Sequence, residues 1–259
     1  MRITQAMYVI RALTIIAAAA ISGRLTAPLV FAGAVAKQAL AQYGIIVGSH
    51  ILQINDIKEE RFNPMGVSDA ELAELHTKKF AVMDDAVGEK MQERILQAKS
   101  ELNSVGGVIE AIALHLPAGI GAPYFDSVES MLSHALFSVP AVKGVEFGDG
   151  FGFARLTGAE ANDALHYVDG KVKALTNHNG GVTGGITNGM PFVVRVAIKP
   201  TPSIAREQQT VSLKEQADTT LAIVGRHDPC IVQRAVPVIE AVVAWTLWDL
   251  LLEAKKWEK

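Results

Sequence analysis

The run Gly184-Gly185-Ile186-Thr187-Asn188-Gly189-Met190-Pro191-Phe192-Val193-Val194-Arg195-Val196-Ala197-Ile198-Lys199 decides the fold class. Asn188-Gly189 is a hairpin signal, because both residues tolerate the positive φ that a tight two-residue turn demands. It predicts a turn between strands over 184–187 and 192–199. In the second strand Phe192, Val194, Val196 and Ile198 share one face, and Arg195 lies on the other. Outward from this hairpin, the elements alternate without a regular βαβ rhythm. Residues 26–43 read as a helix with Pro28 in its first turn and Gly44 as its stop. Residues 44–54 read as a β-branched strand and 61–67 as a loop. Ser68 and Glu71 form a capping box for a short helix. A polar amphipathic helix follows over 86–102, then a buried strand over 106–116, a Gly/Pro loop, a helix over 126–137 and a strand over 141–147. From Pro229 onward one long helix is expected, kinked at Pro237, with Trp245 and Trp248 on one apolar face. Mixed hairpins and helices predict an α+β fold.

Composition narrows the function classes. The chain has 259 residues, 49% hydrophobic and 20% charged, enough for a substantial core and too apolar for a disordered chain. Twenty-four Lys and Arg against 27 Asp and Glu give a net charge of −3, which argues against a broad nucleic-acid surface. A single cysteine, Cys230, excludes an internal disulfide and a cysteine-based metal site, and no histidine spacing suggests a metal. Neither a repeat nor a low-complexity linker marks a domain boundary. Residues 1–24 have the outline of a secretory signal, with Arg2 ahead of an apolar stretch over 12–20. Arg11 borders that stretch, which falls far short of the roughly 20 residues that span a bilayer.

Three glycine-bearing segments lie outside regular elements: 145–151, 177–185 leading on to 199–203, and 225–230. Paired glycines let backbone N–H groups approach an anion, and a helix start adds a partial positive charge. Lys199 and Arg226 supply cations, the latter a bidentate fork for phosphate. Together these suit a phosphate-bearing cofactor or substrate. Plainer readings accompany each. Asp228 before Pro229 makes a good N-cap, His178 a turn residue bonded to its own loop, and the glycines a means of close packing. Glu146 and Asp149 read as solvated loop charges, and Cys230 as a small core residue inside the last helix.

Four stretches carry a resemblance: SGRLTAPLVFAGAVAKQ (22–38), PAVKGVEFGDGF (140–151), NHNGGVTGGITNGMPFVVRVAIKPTPSI (177–204) and GRHDPCIVQRAVPVIEA (225–241). Together they closely resemble the chorismate synthase family, from Ser22 to the C-terminal helix. The resemblance implies an α+β, β-α-β sandwich with antiparallel sheets around helices, assembled as a homotetramer. It implies a cytoplasmic lyase of the shikimate pathway of aromatic amino acid biosynthesis, acting on a small molecule and on neither nucleic acid nor membrane. The reaction is conversion of 5-enolpyruvylshikimate 3-phosphate to chorismate and phosphate by 1,4-elimination, dependent on reduced FMN, with NADPH as a candidate reductant. Carried over by position, FMN contacts are expected at Ser22, Pro140, Ala141, Gly184, Lys199, Pro200, Thr201, Pro202, Ser203 and Arg226. Pro140 stands where some members carry Asn. Arg24 and Arg234 match substrate-binding arginines, and Asp228 matches the catalytic aspartate beside the flavin. No metal is implied.

The resemblance also implies a Gly-x-Ser-His-Gly and a His-Ala-Asp-Tyr segment ahead of Ser22, and neither occurs in the 259 residues. Residues 1–21 read as a non-family segment, with 22–259 the chorismate synthase domain lacking its N-terminal third. Codons compatible with residues 14–21, started one nucleotide earlier, give Asn-Asp-Tyr-Arg-Gly-Gly-Gly-His-Phe. Those for residues 1–4 give His-Ala-Asp-Tyr, so 1–21 read as the same gene in the neighbouring frame. Beside the enzyme stands the alternative of a catalytically inactive truncated remnant that keeps part of the flavin site, and, more distantly, a secreted binding protein.

Overall fold

The structure, a computed structural model, describes residues 26–168, 170–225 and 227–255. Its centre is a five-stranded sheet of β1 (Ile46–Ile54), β2 (Ile57–Lys58), β3 (Gly107–Leu114), β4 (Val142–Phe147) and β9 (Phe192–Ile198), in the order β2-β1-β3-β9-β4. Every neighbouring pair is antiparallel. One face carries Val47, Ile51, Ile109, Ala111, Ala113 and the expected Phe192, Val194, Val196 and Ile198 into the main core. Against that face lie α1 (Thr26–Ala41), α4 (Val128–Phe137) and α5 (Val232–Lys255). The opposite face packs Ile112, Leu114 and Val193 against Phe62 and against Leu72 and Leu75 of α2 (Asp69–Thr77). The capping box is present: Ser68 Oγ accepts from Glu71 N, and Glu71 accepts from Ser68 N. The polar helix α3 (Asp85–Ser100) is capped by Asp84. This is the expected α+β class, with helices laid on an antiparallel sheet.

Helix α5 is long and apolar enough to cross a membrane by length and composition, yet most of it is buried inside the protein. It begins at Val232, three residues after Pro229, and runs unbroken through Pro237. Asp228 is therefore not its N-cap, and Cys230 lies ahead of the helix, buried. Burial pushes the Cys230 thiol up to about 11, so it remains a protonated core residue.

The expected hairpin is also different. β7 (Val182–Thr183) pairs with β8 (Ile186–Thr187), so Gly184-Gly185 is the turn, with φ of 62° and 84°. Two positive φ values in succession are the tight hairpin geometry that glycine adopts without strain. β9 pairs instead with β3 and β4, and Asn188 N donates to Gly181 O at 3.0 Å. Two further ribbons, β5 (Leu165–Val168) with β6 (Lys171–Ala174) and β10 (Gln208–Ser212) with β11 (Ala217–Leu221), stand apart from the sheet.

Gly33 is where α1 meets α5. A Cβ there would fall 2.2 Å from Ala241 Cβ and 2.4 Å from its Cα. Helix propensity alone would make Gly33→Ala stabilising by about 1 kcal/mol. Backbone contact this close overrides it, and urea unfolding should show a net loss of about 1–3 kcal/mol from overpacking. Gly44→Ala, at φ 74° with open space around it, should lose only about 1 kcal/mol through backbone strain. A higher melting temperature for Gly33→Ala would contradict this packing.

Candidate functional site

β9 has a cluster of polar and glycine residues at each end. At its C-terminal end Lys199 N donates to Ala141 O at 2.9 Å, drawing the residues that open β4 against the 199–203 loop. Ala141 sits at φ 74°, a region costly for a residue with a side chain, and such positions concentrate where a site over-determines the backbone. Lys199 and Pro200 are exposed, and the Lys199 ammonium has no ion-pair partner among the described residues. Thr201 is held by its carbonyl, which accepts from Ser104 Oγ at 2.6 Å. Its own hydroxyl is buried with no hydrogen-bond partner among the described residues. Val105 N donates to Pro229 O at 2.8 Å, bringing the segment next to Asp228 against the same stretch of chain. Asp228 Oδ2 accepts from Arg234 Nη1 at 2.5 Å. Ala141, the 199–203 loop, Asp228 and Arg234 are thus connected through a short set of bonds. The N-cap reading of Asp228 gives way to this ion pair.

Gly184 lies elsewhere. Its neighbour Gly185 accepts from Val128 N at the start of α4, while Pro140 and Ala141 follow the far end of that helix. A helix of 10 residues spans about 15 Å. No atom comes within 4 Å of a Cβ built on Gly184, so its backbone is open to a ligand. Ser22, Arg24 and Arg226 lie outside the described residues.

At the N-terminal end of β9 the glycines do pack closely. A Cβ on Gly148 would sit 2.0 Å from His178 O, and one on Gly180 would sit 2.4 Å from Gly148 N. His178 Nδ1 lies 2.6 Å from Asp149 Oδ2, so neither is the solvated or self-bonded loop residue expected from sequence. Asp163 accepts from His178 N, Asn179 N, Asn179 Nδ2 and Thr176 Oγ1 at 2.7–3.1 Å. Partial burial opposes ionisation of Asp163, but these donors outweigh it and hold the carboxyl below its ordinary range. A cleft of about 1080 Å³ opens here, between Asp163, Asn179, His115, Lys173, Asn188 and Met190. This cleft is at the opposite end of β9 from the 199–203 loop. A smaller cavity of about 260 Å³, bounded by Asn103, Ile204, Ala205, His227 and Pro229, adjoins that loop.

Between the two ends a row of charges crosses four strands. His50 of β1 pairs in register with Glu110 of β3, Glu110 with Arg195 of β9, and Arg195 with Glu146 of β4. His50 and Glu110 are 0% exposed and Arg195 is 4% exposed. Arg195 donates to Glu110 Oε1 at 3.1 Å, to Glu146 Oε1 at 2.5 Å and to Gly148 O. His50 donates through Nδ1 to Glu59 and lies 3.1 Å through Nε2 from Glu110 Oε2, with the Phe62 ring 4.3 Å away. Facing a carboxylate with both nitrogens requires the doubly protonated ring. Burial works against that charge, but the Glu110 and Glu59 carboxylates prevail and raise the His50 pKa. Burial likewise opposes charge on Glu110, and His50, Phe62 N and Arg195 overcome it to lower its pKa. Glu146, expected as a solvated charge, is a member of this row. His50, Glu59 and Glu110 were not candidates from sequence. For His50 and Glu110 the signal is one isolated charge in an otherwise apolar strand, whereas Glu59 lies in the charged run 56–61 and has none.

Residues 4–252 match the family model described as chorismate synthase. The chorismate synthase of Thermococcus gammatolerans is 45% identical over 237 residues, which cover 92% of this chain and 65% of that protein. That of Korarchaeum cryptofilum is 43% identical over 235 residues, 91% of this chain and 64% of the other. That of Dehalococcoides mccartyi is 43% identical over 240 residues, covering 90% and 63%. The chain thus spans a little under two thirds of the length of these curated relatives. A crystal structure of chorismate synthase superposes with a TM-score of 0.73 at 31% identity, over 90% of this chain and 64% of that one.

The charge row sets an expected pH dependence. The raised His50 pKa contributes stability that is complete below the ordinary histidine value, about 6.5, and is lost as pH rises through the folded value. The lowered Glu110 pKa contributes stability above the ordinary carboxylate range that is lost as pH falls through its folded value. Urea unfolding should show greatest stability between about pH 5 and 6.5, with a decline on the alkaline side. His50→Gln, which leaves Glu59 and Glu110 without their shared cation, should lose about 3–5 kcal/mol at pH 6. It should also abolish the alkaline decline. An identical alkaline slope in the variant would remove His50 from this role.

Proposed function

This chain belongs to the chorismate synthase family, and on that premise we propose that it converts 5-enolpyruvylshikimate 3-phosphate to chorismate and phosphate by FMN-dependent 1,4-elimination. The observation that carries the flavin part is at Thr201. A buried hydroxyl without a partner is rare in a native fold and calls for a group that completes it. It lies two residues from an exposed ammonium, Lys199, and the loop bearing both is tied to the Asp228 segment. A phosphate-bearing cofactor fits this donor set. In this proposal Lys199 and Thr201, with Pro200, Pro202, Ser203 and Ala141 shaping the loop, hold FMN, and the open backbone at Gly184 receives another part of it. Ser22, Pro140 and Arg226 complete the contacts by family position.

Reduced FMN, when bound, supplies transient electron density to the substrate. The protein's own groups do the rest. Arg234, 66% exposed, presents a guanidinium to the anionic substrate, assisted by Arg24, and cations aimed at the leaving phosphate stabilise charge as it develops. Asp228, a third exposed and oriented by Arg234, is the carboxylate that exchanges a proton. NADPH is the proposed reductant of the flavin. A homotetramer in the cytoplasm is the proposed assembly, and exposed Phe31, Tyr124 and Phe125 offer apolar surface for copies to cover.

Flavin titration and an anaerobic turnover assay test the proposal together. FMN should bind the 259-residue chain and chorismate should form above the free-flavin background. Binding without turnover would favour the inactive remnant, and no binding would remove the flavin reading. Asp228→Asn should lower turnover about a hundredfold or more. It should leave FMN affinity unchanged and stability within about 1 kcal/mol, the scale of an exposed ion pair. Thr201→Val should leave the ligand-free melting temperature unchanged or higher, since it removes only an unpartnered hydroxyl. Its FMN affinity should fall about tenfold, as for one lost hydrogen bond to a charged group.

A further inference from the structure

We propose that Ser104, outside every segment discussed above as ligand-binding, is a positioning residue that fixes the 199–203 loop for its ligand relative to Asp228. This rests on the flavin reading and adds to it the device that keeps the site in shape. The loop cannot hold itself. In Lys-Pro-Thr-Pro-Ser the two prolines carry no N–H, so beyond the Lys199 N bond to Ala141 O the loop is held by carbonyls that accept from donors elsewhere. Pro202 O accepts from Gln208 Nε2 at 3.3 Å, a long, solvent-exposed contact. Thr201 O, by contrast, accepts from Ser104 Oγ at 2.6 Å, and Ser104 is only 9% exposed.

Ser104 is itself firmly placed. After α3 the chain reverses through Leu102 at φ 55°, Asn103 N donates back to Ala98 O at 2.8 Å, and Asn103 Oδ1 accepts from Ser104 N at 2.9 Å. The next residue, Val105, donates its N–H to Pro229 O at 2.8 Å, and Gly106 O accepts from Asn55 N at 2.9 Å. Gly106 lies so close to the loop that a Cβ there would be 2.3 Å from Ile198 O and 3.0 Å from Pro200 N. Two adjacent residues, Ser104 and Val105, therefore grip the loop and the Asp228 segment from one rigid support. The support holds Thr201 by its carbonyl and leaves its buried hydroxyl without a partner. A donor fixed in direction before the ligand arrives needs no reorganisation on binding.

The test uses the full 259-residue chain, with FMN binding followed by fluorescence quenching and by visible circular dichroism of the bound flavin. The wild type should bind. Ser104→Ala should raise the FMN dissociation constant about tenfold, the equivalent of one hydrogen bond. It should also change the dichroism of the bound flavin, whereas Ser104→Thr, which keeps the hydroxyl, should restore both. If Ser104→Ala fails to fold, Ser104→Cys, a weaker donor, is read by the same two measurements. A Ser104 variant with wild-type affinity and dichroism, changed only in melting temperature, would overturn the positioning role and leave the flavin reading standing. A wild-type chain that does not bind FMN would overturn both.

Discussion

Arg195 is a guanidinium in the middle of a sheet, and the rest of the structure is arranged so that it is never without a carboxylate. Removing an ion from water costs several kcal/mol, recovered only by close pairing and full hydrogen bonding. Glu110 lies 85 residues before Arg195 in sequence and Glu146 lies 49 before it, yet both stand directly opposite it on neighbouring strands. His50 and Glu59 extend the pairing to β1 and the segment after β2. A strand that slipped by one residue would turn its charge into the apolar face under α5. The row therefore admits one register, and the apolar face alone would admit it less sharply.

That register sets where β9 begins and ends, and so where the chemistry can lie. Toward Phe192 the chain leaves the sheet through glycines in backbone contact, with Asp149, His178 and Asp163 tied to one another. Arg195 also bonds Gly148 O, so the charge row reaches directly into this cluster. Toward Ile198 the chain leaves through a proline-bearing loop held from outside by Ser104. At the Phe192 end Asp149, His178 and Asp163 bond one another, while His166 Nδ1 on β5 is buried without a hydrogen-bond partner among the described residues. The other end keeps an exposed ammonium and a buried unpartnered hydroxyl. The meeting of these two groups on one loop, rather than cleft size, distinguishes the candidate ligand site, since the larger cleft lies at the Phe192 end.

Much of this was legible in the sequence wherever a local rule decides. Alternation along 192–198 separates the core face from Arg195, the Ser68–Glu71 pair caps α2, and glycine at 44 closes α1, because each depends on neighbours a few residues away. The wording of 177–204 and 225–241 also carried the family, and with it the residues now found linked at one end of β9. Only the tertiary structure decided the partners. Periodicity assigns a residue to a face but not to a neighbouring strand, so β9 was matched to the wrong hairpin and the true turn proved to be Gly184-Gly185. Capping preference suggested that Asp228 starts α5, whereas Arg234 holds it as an ion pair and the helix begins at Val232. Glu59 and Ser104 carry no local signature of their roles, and the isolated charges of His50 and Glu110 do not say which groups they will meet. A buried charge or a clamping hydroxyl acquires its role from groups distant in sequence, and only folding brings them within hydrogen-bonding distance.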